Sequence, residues 1–95
     1  MQQIYGVSEV KLPDKTRVDC VTKHYAIEFD FADKWAEGLG QSLHYARMTG
    51  KTPAVVLIIE DPADFVYYER LKPLAKQTGA KLWYIKSPYY SLISN

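Results

Sequence analysis

Residues 25–46 read YAIEFDFADKWAEGLGQSLHYA. The first seven positions alternate. Tyr25, Ile27, Phe29 and Phe31 fall on one face of a strand, and Ala26, Glu28 and Asp30 on the other. The period then changes. Asp33 is the expected N-cap of a helix, with Glu37 close to a capping-box position. The helix is expected to run to about Thr49 and to stop at Gly50, a residue that accepts the left-handed conformation at a helix end.

Outward from this unit the elements are short and well punctuated. Upstream, residues 9–12 and 17–22 read as strands separated by the turn chemistry of Pro13, Asp14 and Lys15. Downstream, residues 53–59 hold the apolar run AVVLII, which predicts a central strand covered on both faces. Asp61 and Pro62 open a second helix carrying Phe65, Tyr68, Leu71 and Ala75 at helical spacing. Pro73 is expected to kink or split that helix, and Gly79 to end it. KLWYIK, residues 81–86, is the last strand, and residues 87–95 form a tail. The order βββαβαβ predicts an α/β (α+β) fold in one domain, residues 1–95: a central mixed sheet flanked by helices.

Composition narrows the function. The chain has 95 residues, 47% of them apolar, with 12 basic against 11 acidic side chains. That balance excludes a strongly basic nucleic-acid coat and a disordered segment of high net charge. The single cysteine, Cys20, excludes an internal disulfide, reads as a buried thiol, and points to a reducing, cytoplasmic setting. No apolar stretch approaches the roughly 18 residues of a membrane span, and the first residues do not form a signal peptide. There is no glycine-rich phosphate loop and no nucleophile elbow, so no organic cofactor is expected. His24 and His44 have no ligand partner at zinc spacing and read as surface residues.

The acids carry the chemistry. Glu28 and Asp30 share a strand face, and Asp19 joins them if Thr22 pairs with Tyr25 across a two-residue loop, or if a four-residue loop keeps the same parity. A three-residue loop would turn Asp19 to the other face. Like charges opposed on a sheet cost stability, and a divalent cation is the simplest compensation. The alternative is a solvated acidic face. On the helix that follows, Lys34, Gly38, Gln41 and Tyr45 make one stripe, and Trp35, Leu39, Ser42 and Ala46 the mostly apolar stripe beside it. Gly38 and Gly40 each cost about 1 kcal/mol against alanine, which suggests a close approach at this helix.

An acid on a hairpin strand, then Glu-x-acid, then a helix with Gln-x-x-x-Tyr resembles the PD-(D/E)XK nuclease superfamily, with its restriction-endonuclease-like fold. The resemblance covers residues 17–45, and the strand over 55–59 also fits that core. It implies Asp19 and Glu28 as metal ligands, with the Phe29 carbonyl as a further contact, for Mg2+ or Mn2+. Gln41 and Tyr45 match the helix motif of the RecB-type members, where they would position substrate, and Arg17 would lie beside them at the substrate. The superfamily places lysine where this chain has Asp30. Lys34 is then the substitute catalytic lysine, and Asp30 a further metal ligand. Glu9 is a stand-in for an acid that the superfamily carries before the first strand.

The implied activity is metal-dependent hydrolysis of DNA phosphodiester bonds by an endonuclease, with a homodimer as the working form. The alternatives are a catalytically inactive nuclease-fold module for DNA binding or protein assembly, and a structural or metal-sensing protein without a nucleic-acid partner. Lys11, Lys15, Arg17 and Lys23, with Arg47 and Lys51, form a candidate basic rim, and Tyr84, Tyr89 and Tyr90 a candidate dimer surface.

Overall fold

The computed structural model describes residues 7–11 and 17–87, with side chains from position 19 onward. The expected turn at residues 13–15, the tail beyond Ser87, and the side chains of Glu9, Lys11, Lys15, Arg17, Tyr89 and Tyr90 lie outside the described residues. The strands are β1 (Val7–Lys11), β2 (Arg17–Val21), β3 (Tyr25–Phe31), β4 (Thr52–Ile59) and β5 (Lys81–Lys86). The helices are α1 (Trp35–Thr49) and α2 (Phe65–Thr78), each preceded by a single 3-10 turn, Ala32–Lys34 and Pro62–Asp64. They form the mixed α/β fold expected from the element order.

The described strands make one sheet in the order β1-β2-β3-β4-β5. β1, β2 and β3 pair antiparallel, and β3, β4 and β5 parallel. Each strand therefore lies beside its predecessor in the chain. The two crossovers move in the same direction, and crossovers of one hand moving the same way put their helices on one face. Leu39 of α1 and Leu71 and Ala75 of α2 accordingly share one core cluster with Val55, Leu57 and Ile59 of β4.

The other sheet face is closed by side chains of the strands. Cys20, Ile27, Ala54 and Val56 cluster there with Tyr25, Phe29 and Ile85. The rings of Tyr25 and Trp83, from strands on either side of β4, meet edge to face at 5.4 Å. β4 is thus buried on both faces, Ala54 through Leu57 each at 1% exposure or less. That burial explains its unbroken apolar run.

Two expectations need correction. Asp33 is not the cap of α1: the chain first makes the 3-10 turn, and α1 then starts from Lys34 without a side-chain cap. α2 runs through Pro73 unbroken. That ring sits on the exposed side, and the buried stripe of Leu71 and Ala75 holds the helix across the missing hydrogen bond. At the second helix the expected start is present: Asp61 accepts from the Ala63 amide at 2.8 Å, and Asp64 reaches back to the Asp61 amide at 3.2 Å.

Candidate functional site: an acid cluster between a hairpin and a helix

The hairpin loop decides which acids meet. Thr22 N–H donates to the Tyr25 carbonyl at 2.8 Å, and the Thr22 hydroxyl accepts from the Tyr25 amide at 2.9 Å, so Lys23 and His24 form a two-residue loop. The register Cys20↔Ile27 and Val21↔Ala26 follows, as the first of the two favoured loops requires. It sets Asp19 opposite Glu28. Lys51 fastens the loop from outside, its Nζ donating to the Thr22 carbonyl at 2.7 Å and the Lys23 carbonyl at 3.0 Å.

Beyond Cys20 and Ile27 the side chains take over from the backbone ladder. The Asp19 amide donates to Glu28 Oε1 at 3.2 Å, and the Phe29 amide donates to Asp19 Oδ2 at 3.0 Å. Each carboxylate serves the other's strand. Glu28 is buried at 4% exposure. Burial, and then the negative charge of Asp19, push its carboxyl up from 4.5 to about 8, and a hydrogen bond between the two carboxyls favours the protonated form. On β1, Glu9 stands between Ser8 and Val10, whose partners Cys20 and Val18 flank Asp19. The backbone register therefore sets three acidic positions in a row across β1, β2 and β3.

α1 lies over β3 and runs against it. Gly38 sits at Asp30, and Tyr45 packs with Ala26. A Cβ at Gly38 would come within 2.8 Å of Asp30 Oδ2 and 3.4 Å of Val55, so the mid-helix glycine makes room for a carboxylate. That oxygen is buried without a hydrogen-bond partner. The Asp30 carboxyl is pushed up from 3.8 to about 6 by burial, then by the charges of Asp19 and Glu37, with Lys34 opposing. The sequence does not mark Glu37 as a site residue. An acid in the first turn of a helix reads as a helix-end residue, and only the crossing of α1 over β3 brings it near Asp30.

The remaining expected residues divide. Lys34 is exposed beside the site and contacts Glu37 at 3.9 Å. Gln41 is exposed, whereas Tyr45 is buried at 7% exposure in the core with Ala26, Val21 and Met48. The two halves of the Gln-x-x-x-Tyr pattern thus have different surroundings, and Tyr45 packs the helix onto the strand. The buried side of α1 takes Gly38, Leu39, Ser42 and Tyr45, members of both stripes. Arg17 is opposite Lys11 in the β1–β2 register. Cys20 is buried as expected, with its thiol pushed up by burial and by Asp19.

No protein-family model, no curated protein and no solved structure matches this chain. Among the described residues no three His, Cys, Asp or Glu side chains are disposed to hold one ion together. The donor set that does meet is the pair Asp19 and Glu28. Two hard carboxylates side by side, with Glu28 pushed toward its protonated form, fit a divalent cation that would replace the proton, with water completing the shell. Asp30, with its unpartnered oxygen, is the nearest further donor on the same strand face. No described helix is long and apolar enough to cross a membrane.

Proposed function

We propose that this chain is a metal-dependent nuclease of the PD-(D/E)XK type, hydrolysing DNA phosphodiester bonds with Mg2+ or Mn2+. The observation that carries this reading is the Asp19–Glu28 pair, a half-buried and a buried acid facing each other where the β2–β3 ladder ends. A small domain bears the cost of opposed acids only against a compensating partner. Asp19 and Glu28 would hold the ion, which when bound supplies positive charge to the phosphoryl oxygens and stabilises the charge of the transition state. Lys34, exposed at the start of α1, would meet a substrate phosphate, and Gln41 the backbone of the bound strand. Asp30 stands where the superfamily carries lysine, and its unpartnered Oδ2 can hold a proton beside the pair. A homodimer belongs to the same proposal; the exposed Trp83 and Tyr84 of edge strand β5 support it. So does a reducing, cytoplasmic setting, which suits the buried thiol of Cys20.

A second reading, an inactive nuclease-fold module for DNA binding or protein assembly, is favoured by the Lys34–Glu37 contact, which engages the substitute lysine. One experiment separates them. Supercoiled plasmid is incubated with the protein and Mg2+ or Mn2+ beside Glu28→Gln, with metal binding followed by calorimetry. Nicking and metal binding that both vanish in Glu28→Gln support the nuclease. Equal background cleavage by the two proteins overturns it.

A further inference from the structure

Arg70 of α2 is the most constrained free cation on the described surface. Its guanidinium carbon lies 5.7 Å from the ring centroid of Trp35 and 5.6 Å from that of Tyr67. Both rings are half-buried and anchored in the main core cluster, while Arg70 is exposed. Both rings attract the guanidinium through their faces, and the side chain stays exposed to solvent. The nearby acids are engaged elsewhere: Glu69 contacts Lys72 at 3.4 Å, and Glu37 contacts Lys34 at 3.9 Å. No described carboxylate lies within ion-pair distance of Arg70.

The place matters as much as the chemistry. α2 packs against the 3-10 turn Ala32–Lys34, and Ala32 shares a core cluster with Leu71 and Tyr67. Arg70 and its rings therefore sit on the α2 flank of the turn that leaves β3, two residues after Asp30.

We propose that Arg70, set against Trp35 and Tyr67, binds the sugar-phosphate backbone of a single nucleic-acid strand that passes the start of α1. This inference rests on the nuclease reading for its choice of ligand. An unpaired, pre-oriented guanidinium meets a phosphodiester with two parallel N–H donors. The half-buried rings beside it leave part of their surface for a base, and stacking there favours an unpaired strand over a duplex.

The test uses the full chain in EDTA at low salt, with a short fluorescein-labelled single-stranded DNA followed by anisotropy. Arg70→Ala is expected to weaken binding about tenfold and to lower the salt slope by about one. Arg70→Lys keeps the charge without the fork and is expected to recover only part of the affinity. Binding should quench tryptophan fluorescence in the wild type and less so in Trp35→Phe. Thermal melts establish that each variant is folded. Equal affinity of wild type and Arg70→Ala overturns this inference and leaves the nuclease reading standing. Arg70-dependent binding without metal-dependent cleavage upholds the inference and overturns the nuclease. Pyrophosphate competing as well per phosphate as the oligonucleotide, or no binding by the wild type, overturns the inference.

Discussion

Asp19 and Glu28 face each other across the β2–β3 hairpin and exchange roles, the amide of Asp19 donating to the Glu28 carboxylate while the Asp19 carboxylate accepts from the residue after Glu28. Two acids thereby do the work of ladder carbonyls. The arrangement is sensitive to protons, to ions and to the helix lying over it.

The folded chain holds the Glu28 proton up to about pH 8, against 4.5 for an ordinary glutamate. Between those values the folded state binds more protons than the unfolded one. Stability is therefore full below the lower value, falls as pH rises toward 8, and levels off above, with a slope of about 1.4 kcal/mol per pH unit for one proton. Asp30 adds to the fall between 3.8 and about 6. In EDTA the melting temperature should drop from about pH 5 to about pH 8, and Glu28→Gln should flatten the upper part of that slope. A wild-type profile that rises with pH would show that Glu28 is ionised when folded. Magnesium, which competes with the proton, should stabilise more at the alkaline end.

Gly38 and Gly40 make a matched pair. An alanine at Gly40 meets nothing within 4 Å, and should stabilise α1 by about 1 kcal/mol. An alanine at Gly38 must displace the Asp30 carboxylate, 2.8 Å from the added carbon, so it should gain markedly less or lose stability. Urea unfolding of both variants in the wild-type and Asp30→Ala backgrounds checks this. The two alanines should become alike once the carboxylate is gone.

The Asp30 proton should answer to both charges at the start of α1. Glu37 raises its affinity and Lys34 lowers it. Glu37→Gln should therefore move the Asp30 midpoint down from about 6, and Lys34→Met should move it up. Carbon-detected NMR of the aspartate carboxyl follows the titration. Shifts of the opposite sign would place Lys34 and Glu37 on other partners.

Lys51 links the end of α1 to the hairpin loop through two carbonyls. Lys51→Met keeps much of the aliphatic stem and removes the donors. It should cost about 1–2 kcal/mol and raise amide exchange at Thr22 and Tyr25, the pair that sets the register. Unchanged exchange at those amides would mean that the loop holds itself.

Much of this fold can be read from patterning. The period change at residues 31–35 marks a strand feeding a helix, and loop parity restricts Asp19 to one of two faces. The placement of both helices on one sheet face, the 3-10 turn in place of an Asp33 cap, and the passage of α2 through Pro73 depend on packing between elements distant in sequence. The site divides the same way. Asp19, Glu28 and Asp30 are legible because strand period and hairpin register act locally. The burial of Tyr45 and the nearness of Glu37 follow from where α1 crosses β3, which no local pattern encodes.

The β2–β3 ladder has its own consequence. Its paired positions are Cys20↔Ile27 and Val21↔Ala26, and past them, among the described side chains, the two carboxylates join the strands. The seam between the N-terminal hairpin strands and the parallel βαβαβ half of the sheet thus runs through the acids themselves. Whatever binds Asp19 and Glu28 together also clamps those two portions of the chain, so site occupancy and the cooperativity of unfolding become one linked equilibrium. An ion held by both acids would raise the free energy of opening the first two strands toward that of the rest of the sheet.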